Sequence, residues 1–527
     1  MRYQIFSLVG FLIACCTWAA EHTRPNFIII LVDDMGFSDI GCYGSEIPTP
    51  NIDALADRGI RFTQFYNGAR CCPSRAALLT GRYSHEVGMG YQTRDMGPPS
   101  YRGRIRSGIP TIADRLQQKD YSTYMVGKWH VGDDREYWPD RRGFQKSFAL
   151  IGGAMNYWNN WGWTKNAPKV SLALEGEPYS VPKDFYATRD FSEAAADYIL
   201  EHNVDQPFFM YLAYNAPHWP LHAPQADIDA FRGTYLKGWD QIRSDRLDKL
   251  IELGLIQDDV ALSPRFHSVP EYDSLNEVEK DEWDLRMALY AAVIVNLDRG
   301  IGRVVDALRH SGQLENTLIV FLSDNGASFE DPVPTGASWT SHPMDGPPGS
   351  ARSFPAYLTP WANASNTPFG HFKAYLHEGG IRTPLILSGW NCPDNMINSS
   401  TVGHIMDLKP TLLELAGFPR HLAEDGLDGE SMVQVFEDVS FPGREWTFWE
   451  HHFHRAVRHG PWKLVSPRRI LDKPGVLDKW ELYNLESDPT ELNDLSAQHP
   501  ERVKEMSQAY CDWFERVGAL TEEEMKR

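Results

Sequence analysis

Cysteine is scarce in this chain, seven in 527 residues, and no two form a Cys-x-x-Cys pair. That excludes a disulfide-built scaffold and the common zinc modules, which need closely spaced thiols. Positive charge is also short: 51 Lys and Arg stand against 71 Asp and Glu, a net charge of −20. Such a balance excludes a broad surface for nucleic acid or long polyanions, so an anionic ligand must be captured locally by a few inward-pointing cations and a divalent metal. Beyond the N-terminus there is no apolar run long enough for a transmembrane segment. Internal repeats and low-complexity tracts are absent as well. What remains is a globular chain, 42% hydrophobic, with enough length for two domains.

Residues 1–20 have the pattern of a signal peptide: Arg2, an apolar run from Ile5 to Ala14, then Thr17-Trp18-Ala19-Ala20, with cleavage expected after Ala19 or Ala20. Leu12-Ile13-Ala14-Cys15 also resembles a bacterial lipobox, which would make Cys15 a lipid anchor; plain cleavage is preferred. The expected location is periplasmic or secreted. Plain cleavage leaves Cys42, Cys71, Cys72, Cys392 and Cys511.

Asn26 to Val32 is a continuous apolar run that fits a strand buried on both faces, and Asp33 and Asp34 follow at its carboxyl end. Tyr121 to Val126 leads in the same way into Gly127-Lys128-Trp129-His130, Pro207 to Tyr214 into Asn215-Ala216-Pro217-His218, and Leu318 to Leu322 into Ser323-Asp324-Asn325-Gly326. Ligands of parallel sheets gather at strand carboxyl ends. Helical patterns lie between: Asn51 to Arg58, Ser192 to His202, and about Glu279 to His310, where Leu285, Leu289, Ala292, Leu297, Ile301, Val304 and Leu308 keep a helical spacing. Alternating strands and helices predict an α/β sandwich. Gly326 to Thr367 is aperiodic and reads as a long loop, either bordering the active site or an inert insertion. From about Pro442 the short segments Thr447–Trp449, Arg455–Arg458 and Trp462–Ser466, followed by a helical Pro500 to Val517, predict a small α+β domain. The expected division is therefore 21–441 for a catalytic domain and 442–527 for a smaller one.

The densest chemistry is Cys71-Cys72-Pro73-Ser74-Arg75-Ala76-Ala77-Leu78-Leu79-Thr80-Gly81-Arg82. Pro73 fits the first turn of a helix, so backbone N–H groups and the positive dipole end face Cys71 and favour an anion there. On these residues the chain resembles the type I sulfatases, in which the cysteine of Cys-x-Pro-x-Arg, here Cys71, is converted to formylglycine. The likeness covers nearly the whole mature chain and looks closest to bacterial arylsulfatases. Cys72 departs from the usual Ser or Thr and adds a second oxidisable thiol.

The resemblance implies an alkaline-phosphatase-like fold: α/β, a large mixed, mostly parallel sheet sandwiched by helices, with a smaller C-terminal α+β domain. Asp33, Asp34, Asp324 and Asn325 are hard oxygen donors suited to calcium or magnesium. Taken singly such pairs commonly stabilise turns; the resemblance makes them metal ligands, completed by the side chain derived from Cys71, and implies calcium. Lys128 and His130, two apart, would share one face of an extended segment. The resemblance gives Lys128 a sulfate-binding role, sets His130 beside formylglycine, places His218 on the substrate side and Lys373 near the leaving-group oxygen. Arg75, Lys128 and Lys373 would neutralise charge on the sulfuryl oxygens. One hydroxyl of the hydrated aldehyde would attack the ester; the other, deprotonated by His130, would expel sulfate, while His218, with or without Lys373, would protonate the departing oxygen. A formylglycine-generating maturation enzyme is then a required partner, and the substrate is a small-molecule or saccharide sulfate ester. Aryl sulfates come first, carbohydrate sulfates second; a phosphate or phosphonate monoester hydrolase and a passive anion binder are the rivals. Tyr157, Trp158, Trp161 and Trp163 either stack on an aryl or sugar ring or simply pack.

Overall fold

The computed structural model describes residues 24–162, 169–332, 342–420, 425–466 and 479–525. The expected signal peptide, Cys15 and Trp163 lie outside the described residues.

A ten-stranded sheet runs through the molecule in the order Met396–Asn398, Gly59–Phe62, Leu385–Gly389, Thr317–Ser323, Asn26–Val32, Phe208–Ala213, Ser122–Lys128, Lys146–Leu150, Leu172–Leu174 and Glu177–Pro178. The five strands from Thr317–Ser323 to Lys146–Leu150 are parallel, and antiparallel pairing enters through Leu385–Gly389 on one side and Leu172–Leu174 on the other. The sheet is thus mixed and mostly parallel, as expected.

The uninterrupted apolar character of Asn26–Val32 has a simple cause, because both of its faces are buried. Ile28, Ile30 and Val32 enter one core, against Ala187–Leu200 and Glu277–His310. Phe27, Ile29 and Leu31 enter the other, against Cys71–Thr80, Leu408–Leu415 and Pro500–Arg516. Alternation of side chains across the strand makes this division automatic.

The long helix begins at Glu277, two residues before the expected start, because Asn276 accepts from the N–H groups of Val278 and Glu279 while the Glu279 carboxylate accepts from Asn276 N, a capping box. The helix expected from Ser192 starts earlier, at Ala187; Asp190 accepts from Tyr186 N at 3.0 Å and anchors that first turn. The stretch read as one long loop from Gly326 to Thr367 contains a two-turn helix, Leu358–Ser365. It is too short to show a period, yet Trp361, Ala362 and Ala364 are buried, with Trp361 edge-on to Trp239. A four-stranded antiparallel sheet, Trp446–His451, His454–His459, Trp462–Ser466 and Glu481–Asn484, carries Pro500–Arg516. Among the described residues no helix is long and apolar enough to cross a membrane.

Candidate active site

The carboxyl ends of the central strands converge as their buried-strand patterns predict. Asn26–Val32 delivers Asp33 and Asp34, and Thr317–Ser323, its parallel neighbour, delivers Asp324 and Asn325. The two ends are stitched together: Asp34 N donates to Asp324 Oδ1 at 3.4 Å, Met35 N to Ser323 Oγ at 3.1 Å, and Asn325 Nδ2 to Asp34 Oδ1 at 2.7 Å. Asp34 leaves its strand at φ 68°, which turns the second carboxylate toward the first.

Cys71 is the first residue of the helix Cys71–Thr80, behind an extended Arg70, and is buried. Ser74 Oγ accepts from Gly68 N at 2.8 Å, tying the entering loop to the first turn. One turn on, the fully buried Arg75 grips Asp324 Oδ2 through Nε at 2.9 Å and Nη2 at 2.8 Å, while Nη1 donates to Lys128 O at 2.7 Å. Lys128 ends the strand Ser122–Lys128 and donates to Asp33 Oδ2 at 2.6 Å. Lys373 Nζ reaches Asp34 at 2.9 Å. His218 Nε2 lies 3.4 Å from Asp34 Oδ2, and its Nδ1 is 2.5 Å from Trp219 O, so the Nδ1–H donates to backbone and leaves Nε2 for the site.

His130 reaches Cys71 by a route other than the shared face of an extended segment. The strand ends at Lys128, His130 sits at φ 56°, and its ring hydrogen-bonds Cys71. Its Nδ1 has no partner. Gly153 makes the room: a Cβ there would stand 2.5 Å from His130 Nε2.

Electrostatics follow from this packing. Burial opposes ionisation of Asp33, but Lys128, His218 and Arg75 outweigh it and lower its pKa. Asp324 is pushed the other way, by burial and by the nearby Asp33. The hydrogen bond with Cys72 lowers the Cys71 pKa; burial opposes this, and Lys128, His130 and Lys373 add to it. Burial lowers the pKa of His130. For Lys373 burial favours the neutral amine, yet Asp34 and Glu330 prevail and keep it cationic.

An oxygen-binding cation fits the acidic cluster. Asp33 Oδ1 and Asn325 Oδ1 are buried with no hydrogen-bond partner, and ligand atoms of Asp33, Cys71 and Asp324 lie within 4.8 Å of one another. Buried polar atoms without partners are costly, so these two oxygens mark a place built for a positive charge. Cys71, Cys72 and His130 also converge within 4.8 Å, but they offer only three softer donors, and Cys72 Sγ is engaged by Tyr91 O at 3.7 Å.

Residues 25–418 match the family described as Sulfatase. The chain belongs to the sulfatase family. Residues 368–512 also match the family described as N-sulphoglucosamine sulphohydrolase, C-terminal. An uncharacterised sulfatase of Schizosaccharomyces pombe is 34% identical over 95% of each chain. An arylsulfatase of Klebsiella aerogenes is 36% identical over 78% of this chain and 90% of its own. The solved structure of Ps i-CgsB in complex with k-i-k-neocarrahexaose superposes with a TM-score of 0.69 at 27% identity, covering 93% of this chain and 92% of that one. This sulfatase is a sulfate-ester hydrolase with an alkaline-phosphatase-like fold.

The side chains expected to form the site meet in one place, and the structure adds neighbours that sequence reasoning missed. Glu330 accepts from Lys373 Nζ at 3.0 Å and from Arg70 Nη2 at 2.8 Å. A lone Glu in an aperiodic stretch carries no signal; only its nearness to Asn325 hinted at the site. Of the aromatic cluster, Tyr157 packs: it is fully buried, and its hydroxyl contacts the carbonyls of Asn215 and His218 at 2.8 and 2.7 Å. Trp158 packs on Tyr186, and Trp161 stacks on His342.

Proposed function

We propose that Cys71 is converted to formylglycine by a maturation enzyme and that Asp33, Asp34, Asp324 and Asn325 hold a calcium ion beside it, magnesium being the alternative. The hydrated aldehyde supplies a nucleophile that is regenerated after sulfate leaves, and the cation supplies charge stabilisation. The chain's own side chains do the rest. Arg75 holds Asp324 and the end of the Lys128 strand in register. Lys128 and Lys373 neutralise the sulfuryl oxygens. His130, with Nδ1 free and its charged form disfavoured by burial, takes the proton whose loss releases sulfate, and His218, with both ring nitrogens protonated, delivers one from Nε2 to the leaving oxygen. Lys373 stays charged between two carboxylates, which favours His218 as the acid.

One observation carries this reading: Cys71, at a helix N-terminus, lies within 4.8 Å of both an acidic cluster with free oxygens and an imidazole. Aryl sulfates are the first substrate class, in keeping with the arylsulfatase relative. Saccharide sulfates are the second, favoured by the neocarrahexaose complex of the structural relative. The domain division at 441/442 belongs to the same proposal, supported by the separate antiparallel sheet that begins at Trp446. So does export directed by residues 1–20 to the periplasm or beyond, with Cys15 as the alternative anchor.

The test is the mass of the peptide holding Cys71, from protein made in a maturation-competent host, together with turnover of an aryl sulfate. An aldehyde in place of the thiol is expected, and Cys71→Ala should lose at least about a thousandfold in turnover. An unmodified thiol in fully active protein, or full activity in Cys71→Ala, defeats the proposal.

A further inference from the structure

Glu330 places a carboxylate where an anion-binding site has least use for one. Its Oε1 accepts from Arg70 Nη2 at 2.8 Å, and its Oε2 from Lys373 Nζ at 3.0 Å, Trp219 Nε1 at 3.2 Å and Ser328 Oγ at 3.3 Å. Arg70 precedes Cys71, Lys373 is bonded to Asp34, and Trp219 follows His218. One side chain therefore bridges three of the segments that meet at Cys71. Glu330 keeps 22% of its side chain exposed. Burial works against its charge, but Lys373 and Arg70 overcome that and hold it ionised. With it, four carboxylates, Asp33, Asp34, Asp324 and Glu330, face four cations, Arg70, Arg75, Lys128 and Lys373.

A sulfate monoester carries one negative charge, whereas a phosphate monoester of the same shape carries nearly two at neutral pH. We propose that Glu330 is a specificity-determining residue that biases the site toward singly charged sulfate esters and against doubly charged phosphate esters. This rests on the reading of Cys71 as the reacting position. A fixed carboxylate repels each unit of substrate charge alike, so it penalises the dianion about twice as strongly as the monoanion. Discrimination by a built-in repulsive group is needed here because the attractive groups, cations and a metal, suit either anion.

The experiment compares Cys71-modified wild type, Glu330→Gln and Glu330→Asp on 4-nitrophenyl sulfate and 4-nitrophenyl phosphate, with benzenesulfonate, a monoanion, and phenylphosphonate, a dianion at mildly alkaline pH, as competing unreactive ligands. In Glu330→Gln the phosphate-to-sulfate ratio of kcat/KM should rise about tenfold or more. The relative affinity for the dianionic phenylphosphonate should rise with it, and Glu330→Asp should keep the wild-type preference. A displaced Lys373 would lower both rates and, by the same Coulomb argument, the phosphate rate more, moving the ratio toward sulfate, so a purely structural role is distinguishable. A ratio that stays constant or moves toward sulfate overturns the proposal. If Glu330→Gln turns over neither ester, the two unreactive ligands, titrated calorimetrically, decide in the same way. Wild-type protein that fails to hydrolyse the sulfate ester defeats the Cys71 reading instead, and the anion-affinity ratio still decides the role of Glu330.

Discussion

Asp33 Oδ1 and Asn325 Oδ1 are the residue-scale features with most to say, because buried oxygens left without hydrogen-bond donors call for a positive charge nearby. Chelator-treated protein should therefore gain thermal stability on adding calcium, by about 2.7 kcal/mol at a hundredfold excess over the dissociation constant. Asn325→Ala, which removes one of these oxygens, should lose most of that gain in scanning calorimetry. A wild-type melting temperature indifferent to calcium and magnesium would remove the ion from the account. At this scale the sequence picked out Cys71, Arg75, Lys128, His218 and Lys373 through their family resemblance, and the structure brings them to one place. Glu330 and Arg70 were illegible, because a single carboxylate and a single guanidinium acquire meaning only from what they touch.

Among the elements, the loop carrying His218 depends on a second, silent histidine. His222 is fully buried; its Nδ1 accepts from Tyr157 N at 3.2 Å, so its Nε2–H donates to Ser353 O at 2.8 Å. Tyr157 in turn holds the carbonyls of Asn215 and His218. Burial drives the His222 pKa down from 6.5 to about 4, with the bond to Ser353 opposing. Its folded pKa is below its unfolded one, so between these values the unfolded chain binds the extra proton and stability falls as the pH drops, by about 3 kcal/mol at most. The wild-type melting temperature should decline from pH 6.5 to 4 more steeply than that of His222→Gln; equal slopes would show that His222 binds its proton equally in both states. Element positions were well read from hydrophobic pattern, whereas ends were not. Capping at Asn276 and the anchoring of Tyr186 by Asp190 are local hydrogen bonds that periodicity does not see, and Leu358–Ser365 is shorter than one clear period.

For the molecule as a whole, the four-stranded sheet is fastened to the layer that positions the site. Lys463 Nζ lies 2.8 Å from both Glu378 Oε1 and Glu491 Oε1, all three buried. Tyr66 and Arg382 complete the shell of Glu378. Burial raises the Glu378 pKa, but Lys463, Arg382 and Arg458 bring it down to about 2. Trp449 Nε1 donates to Asn67 O at 2.8 Å, within the loop that leads to Cys71. Lys463→Met strands two buried carboxylates and should cost about 3–5 kcal/mol in denaturant unfolding, with faster proteolysis of the C-terminal sheet. A loss under about 1 kcal/mol would mean the sheet is held by its apolar contacts instead. Taken alone, the sequence determined the layered architecture and the strand ends that carry polar groups, and singled out Cys71 as the candidate nucleophile position, because burial on both faces and motif resemblance are written in residue type and order. Only the tertiary structure decided the contacts between distant segments: Glu330 over Lys373 and Arg70, Gly153 making room for His130, Tyr157 and His222 beneath His218, and Lys463 between Glu378 and Glu491. Those pairings are set by how the layers close on one another, and chain-local pattern holds no record of that closure.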